Sequence, residues 1–169
     1  MKGMPALLLE NNGAAGFTDA AGKGGPFFKQ SINARGSGVA DFDNDGRLDL
    51  VITTLGGRAV LLRNRGPTTS HWLGLKLDGA RGNRDGWGAQ VQVTAGGRVQ
   101  YVEARCLTSY VFQSDGRLHF GLGQAGTVDL EIRWPSGQCH SFPNTTDIDL
   151  VNINEESGIK PSQGFGPAP

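Results

Sequence analysis

Asp41-Phe42-Asp43-Asn44-Asp45-Gly46-Arg47-Leu48-Asp49 runs straight into Leu50-Val51-Ile52-Thr53-Thr54, so a cluster of acids leads into a β-branched segment. Carboxylates this close repel one another unless something neutralises them, and a hard divalent cation with oxygen ligands does so. The pattern predicts a calcium site. Asp41, Asp43, Asp45 and Asp49 would supply side-chain oxygens and Arg47 its backbone carbonyl, with Gly46 at the sharp turn. The competing reading is a metal-free turn, because Asp, Asn and Gly favour turns in any case. The repeated acids favour the metal. In a helix-loop-helix calcium motif the twelfth loop position is a bidentate Glu. Here that position is Ile52, which cannot ligate. The segment Leu48–Thr54 is short, β-branched and bounded by Gly56-Gly57, so it reads as a strand. The acidic loop therefore joins two strands.

The rest of the chain agrees with a β-rich reading. Among 169 residues there are 27 glycines, and short apolar runs are separated by Gly, Asn, Asp and Pro, with no sustained helical period. Lys and Arg number 16, as do Asp and Glu, and no basic run is present. That argues against a nucleic-acid partner. No segment approaches a membrane span. The apolar block within Met1–Glu10 is too short for a secretory signal, so a signal peptide is not expected in this chain. Cys106 and Cys139 either form one bridge or are two small buried thiols, and the second reading is favoured.

Four regions are expected: 1–66, a linker at 67–70, 71–155, and a disordered tail at 156–169. In the first, Ala6–Gly13 is echoed by Ala59–Gly66, a spacing that suits propeller-like repeats. Between them, Gly13 to Arg35 reads as a long loop anchored by Phe17, Phe27 and Phe28. The third region alternates with period two. Leu73, Leu75 and Leu77 share a face, as do Ala89, Val91 and Val93, and Leu130, Ile132 and Trp134. Ala95-Gly96-Gly97-Arg98 and Pro135-Ser136-Gly137 read as reversals. Two antiparallel sheets packed face to face bury these rows most simply. The expected fold is all-β: one or more partial propeller blades, then an antiparallel β-sandwich.

Gly38–Val51 resembles an FG-GAP/VCBS repeat, the calcium-binding blade motif of integrin-type propellers. The later region resembles the ASPIC/UnbV domain of the cartilage acidic protein-like family. That likeness runs through Trp72–Leu77, Asn83–Ala89, Ser109–Ser114, Arg117–Gly123 and Arg133–Gly137. The resemblance implies a non-catalytic, calcium-stabilised interaction or adhesion module, extracellular or periplasmic. Its partner would be a protein or glycan at a cell surface or in the extracellular matrix. A propeller needs several blades, and this chain carries about one repeat and part of another. Further blades or chains are therefore expected to complete it.

Other candidates are weighed against plainer roles. Trp72, Trp87, Trp134, Tyr110 and His71 would make a sugar-stacking surface, which is the carbohydrate-binding alternative. Trp72 and Trp134 are expected to cap the core instead. Trp87, in a polar glycine loop, is either wedged against the neighbouring region or offered to a ligand. A catalytic or accessory role in a bacterial biosynthetic pathway would use His119 with Asp115 or Glu103, and Ser109, Ser114 or Ser136 as nucleophile. The absence of a Gly-x-Ser-x-Gly elbow favours a structural histidine.

Overall fold

The computed structural model describes residues 3–67, 69–105, 109–146 and 148–160. Among them the fold is all-β, with short 3₁₀ turns and no α-helix. The first four strands are brief: β1 (Met4–Pro5), β2 (Leu9–Asn11), β3 (Phe17–Asp19) and β4 (Ser31–Ile32). β1 pairs with β4 and β2 with β3. Next, β5 (Ala34–Ala40), β6 (Asp49–Thr54) and β7 (Val60–Leu62) form a three-stranded antiparallel sheet in chain order. The acidic loop joins β5 to β6, two strands, as its sequence requires.

Eight further strands build the sandwich: β8 (His71–Asp78), β9 (Gln90–Ala95), β10 (Arg98–Glu103), β11 (Leu118–Gly123), β12 (Val128–Arg133), β13 (Cys139–Thr145), β14 (Leu150–Asn154) and β15 (Gly158–Lys160). They form two four-stranded sheets, ordered β10-β9-β12-β13 and β11-β8-β14-β15. The alternating rows face each other between them. Leu73, Leu75, Val91, Val93, Leu130, Ile132, Trp134, Phe120 and Ile153 are almost fully buried in one cluster. Trp134 thus sits in the core.

The reversals also form where expected. Gly96 and Gly97 have φ of 54° and 76°, the left-handed pair a two-residue hairpin demands, and Arg98 pairs directly with Ala95. At the second, Trp134 N donates to Gln138 O at 2.8 Å.

Several expectations need correction. The sandwich is not wholly antiparallel, because β14 runs parallel to β8. It continues to Lys160 through β15, past the expected end at residue 155. Residues 161–169 of the expected tail, Thr68 of the linker and Cys106 lie outside the described residues. Cys139 is exposed, not buried, because it occupies an outward position of β13. Phe17 is 67% exposed, whereas Phe27 and Phe28 meet edge to face at 5.5 Å.

The N-terminal part has little core of its own. Its buried apolar residues are Ala20 and Ile52, while Met4, Leu7, Leu9, Phe42 and Leu55 are each more than half exposed. Contact with the sandwich adds to its own strand pairing. Segment 109–115 runs beside β5. Ser37 N donates to Ser109 Oγ and Val39 N to Ser114 Oγ, both at 3.1 Å, and Asp115 N donates to Val39 O at 2.9 Å. Gly36 and Gly38 make this approach possible. A Cβ on Gly38 would run into the Phe112 ring, and one on Gly36 into the carbonyl of Tyr110.

Candidate metal centre

The acidic loop is built by its own side chains folding back on its backbone. Asp41 is buried, and its oxygens accept from Asp45 N at 3.0 Å and Gly46 N at 2.8 Å. Asp45 Oδ1 accepts from Arg47 N at 2.9 Å. These bonds need a tight curl, which positive φ at Asn44 (55°) and Gly46 (85°) provides. Asn tolerates that region better than most residues, and Gly adopts it freely.

The curl brings Asp41, Asp43 and Asp45 together. One oxygen from each lies within 4.8 Å of the others. Asp49 does not join that triad. Its Oδ1 accepts from Asn64 N at 2.7 Å and its Oδ2 from Phe42 N at 3.3 Å, so it ties the loop's start to the end of β7. Arg47 closes on the cluster through its side chain. Its guanidinium pairs with Asp45 and donates from Nε to Asn64 O at 2.9 Å. Arg63, a residue the sequence reading did not single out, pairs with Asp43 Oδ2. The other oxygen, Asp43 Oδ1, is buried with no hydrogen-bond partner among the described residues.

The sandwich supplies the loop's second wall. The loop lies against the outer face of β8 and β11. Arg117 Nη1 donates to Asn44 Oδ1 at 2.6 Å and Nη2 to the Asp41 carbonyl at 3.0 Å, while Asp115 pairs with the same guanidinium. His119 Nε2 lies 3.0 Å from the Gly46 carbonyl. Its ring stacks on Trp72 with centroids 5.5 Å apart and planes within 8°. Trp72 therefore caps the loop, not the core as expected, and its indole fills the space a side chain at position 46 would need.

Arg117 makes a testable contribution. Arg117→Ala should loosen the loop by about 1–2 kcal/mol, since the guanidinium makes charge-assisted bonds at a partly exposed site. Faster amide exchange confined to residues 41–47 is the expected readout. Arg117→Lys should restore only part of the protection, because an ammonium cannot reproduce the planar fork.

Of the residues in the catalytic alternative, His119, Asp115, Glu103 and Ser114 line one hollow of about 260 Å³. His119 bonds to a backbone carbonyl, Asp115 to Arg117, and the Ser109 and Ser114 hydroxyls to β5 amides. Ser136 donates to Glu155. Of the aromatics in the carbohydrate-binding alternative, Trp72 stacks on His119 beside the acidic loop. Trp134 is buried, and Trp87 packs partly against the core with its ring tip over Gly116. Both of these contacts are with the sandwich itself.

A buried acid away from the loop also escaped the sequence reading. Glu155 Oε2 accepts from Ala80 N at 2.6 Å and Arg81 N at 2.8 Å, and Oε1 from Ser136 Oγ. The Ser136 hydrogen bond is the largest influence on its carboxyl. With the two amides and Arg81 it outweighs burial and holds the pKa below the ordinary glutamate value. This clamp fixes the loop entering Asn83–Ala89 to the β12–β13 reversal. Only its place after the alternating Val151 and Ile153 marked it, as a charge at an inward position.

No curated protein matches the chain. Residues 79–160, within the two-sheet sandwich that carries the Glu155 clamp and the loop-holding Arg117 and His119, match the family model described as ASPIC and UnbV, so this part of the chain is an ASPIC/UnbV domain.

Proposed function

We propose that the chain is a non-catalytic interaction or adhesion module, stabilised by calcium and working outside the cytoplasm, at a cell surface or in the periplasm. On this reading the N-terminal part consists of FG-GAP/VCBS-type propeller repeats that dock further blades or chains. Its apolar residues support this, since Met4, Leu7, Leu9, Phe42 and Leu55 lack cover that added β-structure would give.

The observation that carries the reading is the convergence of the Asp41, Asp43 and Asp45 oxygens within 4.8 Å, with Asp43 Oδ1 buried and unpartnered. Oxygens on opposite sides of one calcium ion stand about 4.8 Å apart, twice a bond of ~2.4 Å, so all three fit a single ion. Such an ion would neutralise the cluster and satisfy the orphaned oxygen. Asp41, Asp43 and Asp45 would hold it directly. Asp49 would keep the loop closed behind them, and Arg47 and Arg63 balance the remaining charge.

Calorimetric titration with millimolar calcium tests this. Uptake with a Kd on the order of 10⁻⁴ to 10⁻³ M is expected, as in extracellular calcium modules. At a hundredfold excess over Kd the native state gains about 2.7 kcal/mol, or roughly 5–10 °C in Tm. Asp43→Asn should abolish most of the gain. No heat of binding, together with an unchanged Tm in chelator, overturns the proposal.

A further inference from the structure

One outer face of the sandwich is covered by the acidic loop; the opposite face, on sheet β10-β9-β12-β13, has no such cover among the described residues. Strand register lays its outward side chains in cross-strand rows. Tyr101 pairs with Gln92, Gln92 with Glu131, and Glu131 with Ser141. In the next row Gln90 pairs with Arg133, and Arg133 with Cys139. The rows line a shallow hollow of about 360 Å³. Strands lie about 4.8 Å apart and same-face residues about 6.8 Å apart along a strand, so the polar groups form a grid.

We infer that this face is a binding site for a neutral oligosaccharide. Three features point there. First, among the described residues no opposite charges face each other directly across these strands, so the charged groups of the rows are not taken up as cross-strand ion pairs. Glu131 faces Gln92 and Ser141, and Arg133 faces Gln90 and Cys139. Second, two amides, a carboxylate and a guanidinium are planar groups able to engage paired hydroxyls. Tyr101, 73% exposed, offers a ring on which a sugar face stacks. Third, acid and base stand together, which suits an uncharged ligand over a polyanion. The inference specifies the ligand of the interaction module and shares its premise that the chain binds without catalysing, but it does not require the cation.

The test is titration of the full chain with cellotriose, maltotriose and mannotriose, with calcium and again with chelator. Saturable binding of at least one sugar is expected. Tyr101→Ala and Gln92→Ala should each weaken it about tenfold, losing one stacking or one hydrogen-bonding group. Glu156→Gln, in the β14–β15 turn, should leave it unchanged. Both face variants remove exposed or half-buried side chains, so an unchanged circular dichroism spectrum separates lost contact from lost fold. No saturable binding at millimolar sugar, or binding indifferent to both face variants, overturns the inference. Sugar binding that persists while calcium is not taken up supports this face and removes the cation reading. Calcium uptake without sugar binding does the reverse. Recovery of cleaved sugar overturns the non-catalytic premise.

Discussion

Glu155→Ala is expected to lower the unfolding free energy of the sandwich by about 3 kcal/mol, a fall in Tm of roughly 6–12 °C. The carboxylate accepts two backbone amides and a hydroxyl, and its side chain is almost wholly buried. Removing it strands these donors where water reaches them incompletely, and hydrogen bonds to a charged group are the costly ones to lose. Glu155→Gln keeps the volume but turns an amide donor toward backbone donors, so it should recover little. The pH dependence has a definite sign. The folded pKa lies below the ordinary 4.5, held there chiefly by Ser136, then by the Arg81 and Ala80 amides. The contribution is therefore complete above pH 4.5. It falls away as the pH drops from there through the folded value. Chemical denaturation of wild type and Glu155→Gln from pH 7 to pH 3 reads this directly. The gap between the two should narrow on the acid side, and a constant gap would show that the charge contributes nothing.

Gly46→Ala should release the acidic loop from the sandwich, with a local cost of about 2–5 kcal/mol. Of this, about 1–2 kcal/mol comes from placing an L-residue at left-handed φ. The remainder comes from overpacking against the Trp72 indole, which typically costs about 1–3 kcal/mol. The glycine has φ of 85°, and its carbonyl meets His119. The expected result is a shift in Trp72 fluorescence and faster amide exchange in residues 41–49, while sandwich strands β9 and β12 keep wild-type protection. Calcium affinity should fall with it, because the same curl gathers the three carboxylates. An unchanged exchange pattern would mean that the loop holds its shape without the sandwich. Gly38→Ala probes the same joint from β5, where the added methyl meets the Phe112 ring.

Much of this molecule was legible as pattern. Period two placed β8, β9 and β12 and their buried rows correctly, because burial on one side of a pleated strand leaves an alternation that any reader can count. The two-glycine reversal between β9 and β10 was equally plain, since few residues accept consecutive positive φ. Long-range pairing was not. The parallel β8–β14 pair joins segments more than seventy residues apart, and no local signal marks the direction of such a partner. Trp72 was misplaced for a related reason. It alternates with Leu73 and so faces away from the core, but only the docked loop shows what the outer face meets. Glu155 and Arg117 were unremarkable in sequence because a clamp is defined by the backbone groups it reaches.

By itself, the amino-acid sequence determined that this chain is β-rich, that an acid-laden bend links two strands, and that paired apolar rows demand a second sheet. These are local consequences of pleat, turn chemistry and charge crowding. The tertiary structure alone decided which three carboxylates meet, that Asp49 serves the backbone instead, and that Arg117, His119 and Trp72 wall the loop. It also decided which sheet face the acidic loop covers. Those outcomes depend on distances between groups far apart along the chain, and such distances exist only once the two regions have packed.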